Sequence, residues 1–419
     1  MAATSSRPLR VLVAGGGVAG LETLLALRHL AGERIERTLL TPEEEFVYRP
    51  MAVAEPFARG RAQRHRLDAI ARDLGARLLC GSLATVDDRS RTAVTSTGER
   101  LSYDALVVAI GARSEPALQR ALTWTPESDH EIYGGLLRDI EEGYSKRVAF
   151  VIPAGVAWPL PAYELALMTA WDTRDMGIED VQITIYTPES APLEIFGAAA
   201  TKALLEDLDE VGIQVRTSAY VTAARGGKLL VEPGARPLDA ERVVALPQAV
   251  GPALPGVLND AHGFIRCDPY GKVYDTATVW AAGDAIAFPV KQGGLAAQQA
   301  DAAAEEIAAR AGANVHAQPF RPVLRGVLLT GRGQAWMRNA AAGGDGDGEA
   351  QRRALFWPPT KIAGRYLSPY LAELDRAQAI GEAPQPSGQP VELDLEHAMP
   401  DPTDAQHAAA RREERFQGE

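Results

Sequence analysis

An α/β fold is what this sequence predicts, with two parallel-sheet units in tandem and a smaller C-terminal lobe. Three observations predict it. Short β-branched runs alternate with helical apolar spacing from the N-terminus onward, the pattern of βαβ units. That pattern starts afresh near Arg147. The 419 residues exceed what one core of ordinary size organises.

In chain order, Arg10–Ala14 reads as a strand, Gly15-Gly16-Gly17-Val18-Ala19-Gly20 as a turn and Leu21–Leu30 as a helix, with a second strand at Thr38–Thr41. Arg77–Val86 and Arg91–Ser96 read as short strands joined by Asp87-Asp88-Arg89. Asp104–Ile110 reads as a buried strand closed by Gly111. The second unit is read as strand Val148–Ile152, helix Ala162–Thr173, strand Val181–Tyr186, helix Lys202–Val211 and strand Gln214–Thr217. Pro247–Pro255 reads as a return crossing. Val279–Ala282 is one more apolar strand, followed by Gly283-Asp284 and an Ala-rich helix from Gly293 to about Ala311. A hairpin-like stretch (Val323–Thr330), a flexible acidic loop (Gly343–Gly348) and a short helix (Ile362–Asp375) complete the ordered part. The expected division is 1–118 with 252–317, 119–251, and a lobe at 318–377. The remainder, 378–419, has several Pro, scattered charge and little periodicity, and is expected to be disordered.

Composition excludes several classes. Lys and Arg number 43 against 55 Asp and Glu, a net charge of −12, so the surface as a whole does not attract nucleic acid or anionic membranes. No run of about 18 apolar residues is present, so no spanning helix is expected. The seven His show no ligand spacing, which argues against a metal site. Met1–Leu9 is polar without an apolar signal core, and two cysteines cannot build a disulfide framework. The expected compartment is the cytoplasm.

Gly15, Gly17 and Gly20 form G-x-G-x-x-G between a strand and a helix. The first glycine makes the tight turn, the second lets backbone approach a pyrophosphate, and the third lets helix pack on strand. The helix N-terminus adds N–H groups and partial positive charge. This predicts a Rossmann-like dinucleotide-binding domain. The acid that usually ends the second strand would fall near Thr41, but Thr41-Pro42-Glu43 places it two residues late. Either Thr41 bonds the ribose or Glu43 curls back to it.

With these motifs in place the chain resembles a family. Asp104–Ala112, with Ala109 and Gly111, resembles the strand-and-glycine motif of flavoproteins with two dinucleotide domains. Thr278-Val-Trp-Ala-Ala-Gly283-Asp284 is similar to their second FAD motif. Phe46-Val-Tyr-Arg49-Pro50 and Pro289-Val-Lys291-Gln292-Gly-Gly294 resemble the group of sulfide:quinone oxidoreductases, flavocytochrome c sulfide dehydrogenases and type II NADH dehydrogenases, within the pyridine nucleotide-disulfide oxidoreductase-like flavoproteins. The resemblance spans roughly residues 10–375. It implies FAD, held without a covalent bond, with Gly15, Gly17, Ala19, Gly20, Thr41, Arg49, Ala109, Gly111, Gly283, Asp284, Lys291 and Gln292 around it. Asp284 would bond the ribityl chain, and Glu164 would lie near the flavin and relay protons. The plainer alternatives are a turn or N-cap Asp284, a first-turn helix acid at Glu164, and a surface salt bridge for Arg49.

The departures are informative. The second unit's loop, Val151–Glu164, keeps only Gly155 of a G-x-G-x-x-G, and Trp158, Pro159 and Pro161 would crowd a pyrophosphate and remove donors. This is an NAD(P)-type domain in degenerate form, with weak support for NAD(P)H. The resemblance places the family's sulfur-carrying cysteine six residues before Glu164, where Trp158 stands. Cys80 and Cys267 read as structural. Lys291, beside the Gly293-Gly294 helix start, would stabilise negative charge on a reduced flavin; its alternative is a solvated loop lysine. Trp158, Phe288, Trp336 and Trp357 could line a flat pocket, or be core. The apolar face of Ile362, Tyr366, Tyr370 and Leu374 lacks a basic border, so it is expected to dock on protein rather than lipid.

The reading is an FAD-dependent oxidoreductase cycling its flavin between a small-molecule donor, NAD(P)H among the candidates, and a quinone-like acceptor, with Glu164 and Lys291 as catalytic groups. Nucleic acid is not a partner, and a homodimer is compatible with it. The alternatives are a flavin-binding redox sensor with little turnover and a sulfide:quinone oxidoreductase with atypical cysteine use.

Overall fold

The computed structural model describes residues 7–127, 130–225, 228–234, 236–338, 349–351 and 360–378. Two five-stranded parallel sheets form its frame. The first has the order Val279–Ala281, Ala105–Val108, Leu9–Ala14, Ile35–Thr41, Arg77–Cys80. The second has the order Leu122–Thr123, Arg242–Ala245, Arg147–Val151, Gln182–Tyr186, Gln214–Arg216. The central strands are largely apolar because both faces are covered: helices pack on the Val11 and Val13 side of the first sheet and on the Phe150 side of the second, while an antiparallel sheet with Val86 and Ala93 covers Leu12 and Ala14, and another with Val221 and Leu229 covers Ala149 and Val151. Val11, Val13, Leu24, Leu27 and Trp280 are buried in the first unit, and Phe150, Leu165, Met168 and Ile185 in the second.

The chain leaves the first sheet through Arg113–Glu115 and returns through Gln248–Val250, and these two crossings pair antiparallel. A three-stranded antiparallel sheet follows the Gly293–Arg310 helix, formed by Arg325–Leu329, Gln334–Arg338 and Glu349–Gln351. Its Val327 and Leu328 are buried.

Three local expectations are corrected, and one helix is added to them. Arg77–Val86 is two strands in different sheets. Pairing with Ile35–Thr41 ends at Thr41 opposite Cys80, and after Gly81-Ser82 the chain starts an antiparallel sheet at Leu83–Asp87. The Val323–Thr330 hairpin is one strand, Arg325–Leu329, whose partner is Gln334–Arg338. The C-terminal helix starts at Leu367, not Ile362, because the N–H groups of Ile362 and Tyr366 donate to Tyr48 and Glu22 instead of building a helical turn. A helix at His130–Glu141 went unread, although Tyr133, Leu136 and Ile140 carry helical spacing and are buried. The acidic loop Gly343–Gly348, Trp357 and the tail from residue 379 lie outside the described residues.

The apolar face near the C-terminus packs on the protein body. Ile362, Leu367 and Leu371 are buried in the core of the first unit, with Tyr366, Tyr370 and Leu374 against it. No helix among the described residues is long and apolar enough to cross a membrane.

Candidate active site

The register of the first sheet builds the site. Ala14, Leu40, Val108 and Ala281 stand in one row across four strands. The residues that follow them therefore leave the sheet together at its carboxyl edge, where open α/β sheets bind ligands. A cavity of about 610 Å³ opens there and extends to the second unit and the C-terminal lobe. It is in the range of small-molecule and cofactor sites.

Gly15, Gly17, Ala19, Thr41, Ala109, Gly111 and Gly283 line it. Gly20 does not, and its role is packing: a Cβ there would stand 1.9 Å from the Gly15 carbonyl oxygen. Gly15 has φ +116 and its Cβ would meet the Ala109 oxygen at 2.1 Å. A Cβ on Gly17 would meet nothing within 4 Å, so Gly17 faces the open cavity. The Val18–Ala31 helix starts there with no side-chain cap. Its first N–H groups are thus available to an anion.

Both candidates for the second-strand ribose contact line the cavity. Thr41 is 1% exposed and its hydroxyl accepts the Glu43 N–H at 3.2 Å, while Glu43 is exposed at the cavity rim.

Asp284 lies deep in the wall. Among the described residues no protein donor reaches its carboxylate, and it does not cap the short turn Gly283–Ala285. Burial pushes its pKa up, and the charges of Lys291 and Arg49 pull it back. A carboxylate that faces the cavity and has no protein donor is open to donors from a ligand. Lys291 is no solvated loop residue. Its ammonium donates to the Ile286 carbonyl and stands 3.9 Å from the centre of the Phe264 ring. Burial lowers its pKa to about 8, with Asp284 opposing the shift. Arg49 lines the cavity but is held by Glu127 at 3.0 Å, the surface salt bridge of the plainer alternative. Gln292 reaches the cavity too, yet its side chain is committed. Its Oε1 accepts the Leu295 N–H at 2.9 Å and its Nε2 donates to the Arg325 carbonyl, so it caps the Gly293 helix.

Glu164 lines the cavity, and it has a partner that the sequence does not indicate. It is 1% exposed, and Lys361 Nζ lies 2.6 Å from its Oε1. Lys361 also donates to the Pro50 carbonyl at 3.1 Å, and the Leu329 N–H donates to Glu164 at 2.9 Å. Burial raises the Glu164 pKa and lowers that of Lys361, each opposed by the other's charge. A proton passed from Lys361 to Glu164 leaves both groups neutral, so its movement within the pair strands no isolated charge. Nothing in the sequence around Lys361 marked it, beyond the chain having only six lysines.

The second unit shows why its dinucleotide loop is spoiled. Trp158 turns into the cavity wall, packed edge-on against Phe196 at 5.8 Å. The following helix, Leu160–Asp175, starts at Pro159 with Pro161 in its first turn and has no side-chain cap. Its second strand ends in Thr187-Pro188-Glu189, the same tripeptide as Thr41-Pro42-Glu43. Here the acid is spent internally: Glu189 accepts from Tyr163 (2.5 Å), Thr187 (2.8 Å) and the Leu193 N–H (3.1 Å). Phe288 packs on Phe320, and the side chain of Trp336 is outside the described residues. Both cysteines are unpaired, neither lines the cavity, and burial pushes the Cys267 thiol up to about 12. The described residues hold no cluster of metal-ligating side chains.

The glycine turn at a helix N-terminus, an acid in the cavity wall with no protein donor and a lysine beside a second helix start fit FAD. They define an oxidoreductase of the two-dinucleotide-domain class. The chain belongs to the pyridine nucleotide-disulphide oxidoreductase family, whose model matches residues 9–306. A sulfide-quinone reductase of Aquifex aeolicus is 27% identical over 233 residues, 53% of this chain and 54% of that protein, so the match spans about half the length of the curated relative. The solved sulfide:quinone oxidoreductase of Aquifex aeolicus has a TM-score of 0.75 at 20% identity, covering 88% of this chain and 90% of that one. A ferredoxin reductase from Rhodopseudomonas palustris has a TM-score of 0.60 at 18% identity, covering 80% and 83%. At these identities the solved structures speak for the fold.

Proposed function

We propose that the chain cycles a non-covalently held FAD between a small-molecule electron donor and a quinone-like acceptor, with Glu164 and Lys361 carrying the accompanying proton. One observation carries this reading: the buried Glu164–Lys361 pair shares a cavity with Gly17, Asp284 and Lys291. FAD, when bound, supplies two-electron transfer. The Gly15–Gly20 turn would take its pyrophosphate, and Asp284 would accept its ribityl hydroxyls. Lys291 and the N-terminus of the Gly293 helix would favour negative charge on the ring. Val53, Leu160, Pro161, Val327 and Ile362 add apolar wall suited to a flat acceptor.

The occupied Glu189 and the two prolines disfavour NAD(P)H at the usual place in the second unit. The test starts from chemically reduced protein under anaerobic conditions. A short-chain quinone is expected to restore the yellow flavin rapidly, and failure to do so removes the quinone reading. Mixing the oxidised protein with NADH, NADPH and sulfide in turn identifies the donor. No bleaching by any of them, with no quinone turnover, would favour a redox sensor. Sulfide bleaching lost in Cys267→Ser would restore the thiol reading. Heat is expected to release free FAD; flavin that stays on the denatured chain contradicts non-covalent binding.

Lys291→Met is expected to lower the flavin midpoint potential by about 20–65 mV. That follows from about 1–3 kcal/mol for a charge-assisted contact and about 30 mV per 1.4 kcal/mol in a two-electron couple. The difference from wild type is expected to fade as pH rises past about 8, where Lys291 loses its proton. Spectroelectrochemistry on either side of that pH checks both points. An unchanged potential in FAD-loaded Lys291→Met would leave Lys291 a packing role only.

A further inference from the structure

The loop that no longer suits a pyrophosphate brings an indole to the cavity instead. Trp158 lines the cavity and is half-buried, with its ring centre 5.8 Å from that of Phe196 at an interplanar angle of 67°. Its indole N–H has no acceptor among the described residues, whereas that of Trp280 is taken by Glu306 at 2.6 Å. A cavity-lining indole whose donor is unused suits a flat ligand that carries carbonyl oxygens.

Contacts between neighbours place Trp158 in one compartment with the Glu164–Lys361 pair. On one side the Lys291 N–H donates to the Ala157 carbonyl at 3.2 Å, which fixes Trp158 beside the start of the Gly293 helix. A Cβ on Gly293 would stand 2.8 Å from the Ile362 side chain, and Lys361 precedes Ile362. On the other side Phe196 reaches the Arg325–Leu329 strand, where a Cβ on Gly326 would stand 2.5 Å from its ring. The Leu329 N–H of that strand donates to Glu164 at 2.9 Å. The two paths close a ring with the indole at one end and the pair at the other. The lining between them, at Gly326, Val327 and Ile362, carries neither charge nor thiol.

We propose that Trp158 is a specificity-determining residue: a planar, conjugated carbonyl acceptor of the quinone class packs against its ring and accepts its N–H. The inference deepens the quinone reading above and rests on it. It concerns binding alone. Ring-to-ring contact strengthens the hold on flat acceptors and gives nothing to compact ones, so Trp158 sorts acceptors by shape. Sulfide has no sulfur atom to attack in this compartment and too little surface to gain from the indole. Nicotinamide is flat too, but it arrives on a dinucleotide whose pyrophosphate is disfavoured by the prolines at the start of the Leu160–Asp175 helix.

The test uses the full chain, loaded with FAD and photoreduced without oxygen. Flavin absorbance follows reoxidation over a range of concentrations of a short-chain benzoquinone, with ferricyanide, a compact oxidant without a ring, as the reference. Trp158→Ala is expected to raise the half-saturating quinone concentration by about five- to thirty-fold, the size of one aromatic contact. The rate at saturation is set by Glu164 and Lys361 and is expected to change far less. Trp158→Phe keeps a ring and is expected to recover most of the loss. If Trp158→Ala does not fold, Trp158→Leu fills the space beside Phe196 without a ring, and the same weakening is expected. An unchanged half-saturating concentration in the ring-less variant, beside a saturable wild type, overturns the proposal and leaves the quinone reading standing. A wild-type rate that rises with quinone and never saturates overturns it as well. So does equal slowing toward both oxidants with a shifted flavin midpoint potential, which would place Trp158 on the flavin. A wild type that ferricyanide reoxidises and the quinone does not overturns the quinone reading itself, and this inference with it.

Discussion

Lys361→Met is expected to cost about 3–5 kcal/mol of unfolding free energy at neutral pH, and Glu164→Leu a similar amount, because each strands the other charge in the interior. The pH dependence separates the two. In Lys361→Met the lone Glu164 has a folded pKa above its unfolded one. Its penalty grows as pH rises from the carboxyl range and shrinks in acid, where the group is protonated in both states. In Glu164→Leu the lone Lys361 has a depressed folded pKa, so its penalty shrinks as pH rises toward the ordinary lysine range. The double variant Glu164→Leu/Lys361→Met removes both charges and is expected to recover most of the stability, since apolar replacement of a whole buried pair is often neutral or better. Its reoxidation by quinone is nonetheless expected to be slower by about 10²–10⁴-fold, the usual contribution of positioned acid–base groups. Urea unfolding at several pH values and stopped-flow reoxidation check these points. Single variants that each cost under about 1 kcal/mol would mean that the pair behaves as an exposed one.

Gly17→Ala and Gly20→Ala are expected to separate binding from folding. The Cβ at Gly20 would stand 1.9 Å from a backbone oxygen, so the first helix must move off its strand, and both stability and FAD binding fall. The Cβ at Gly17 meets no protein atom within 4 Å, and φ −83 with ψ −167 there suits alanine. Stability should change by no more than about 0.5–1 kcal/mol. The new methyl instead occupies the space proposed for the pyrophosphate. Each charge-assisted hydrogen bond displaced is worth about 1.5–3 kcal/mol, which weakens FAD binding by about ten- to a hundred-fold. Thermal melts beside FAD titration of the apoprotein distinguish the two variants. A Gly17→Ala protein that binds FAD like wild type would move the pyrophosphate elsewhere.

Much of the cofactor half was legible because its signals are local. The strand, glycine turn and helix of Leu9–Ala31 are encoded by neighbours in sequence, and so are the apolar strand before Gly283-Asp284 and the start of the Gly293 helix. Once the sheet is parallel, strand ends meet at one edge without further instruction. The helix at His130–Glu141 was equally local and was overlooked. Lys361 was not legible: it sits in an irregular stretch held in place by Glu22, Tyr48 and Glu164, which are remote in sequence.

The sequence by itself determined the α/β class, the glycine turn and the loss of the second dinucleotide loop, all set by short-range sterics and apolar period. Tertiary structure alone decided what the charged groups do. Thr-Pro-Glu occurs after the second strand of each unit, yet Glu43 lies exposed at the cavity rim while Glu189 is clasped by Tyr163 and Thr187. Glu164 and Lys361 lie 197 residues apart and meet at 2.6 Å. A carboxylate's proton affinity depends on burial and on which charge faces it, and the long-range packing of the chain sets both.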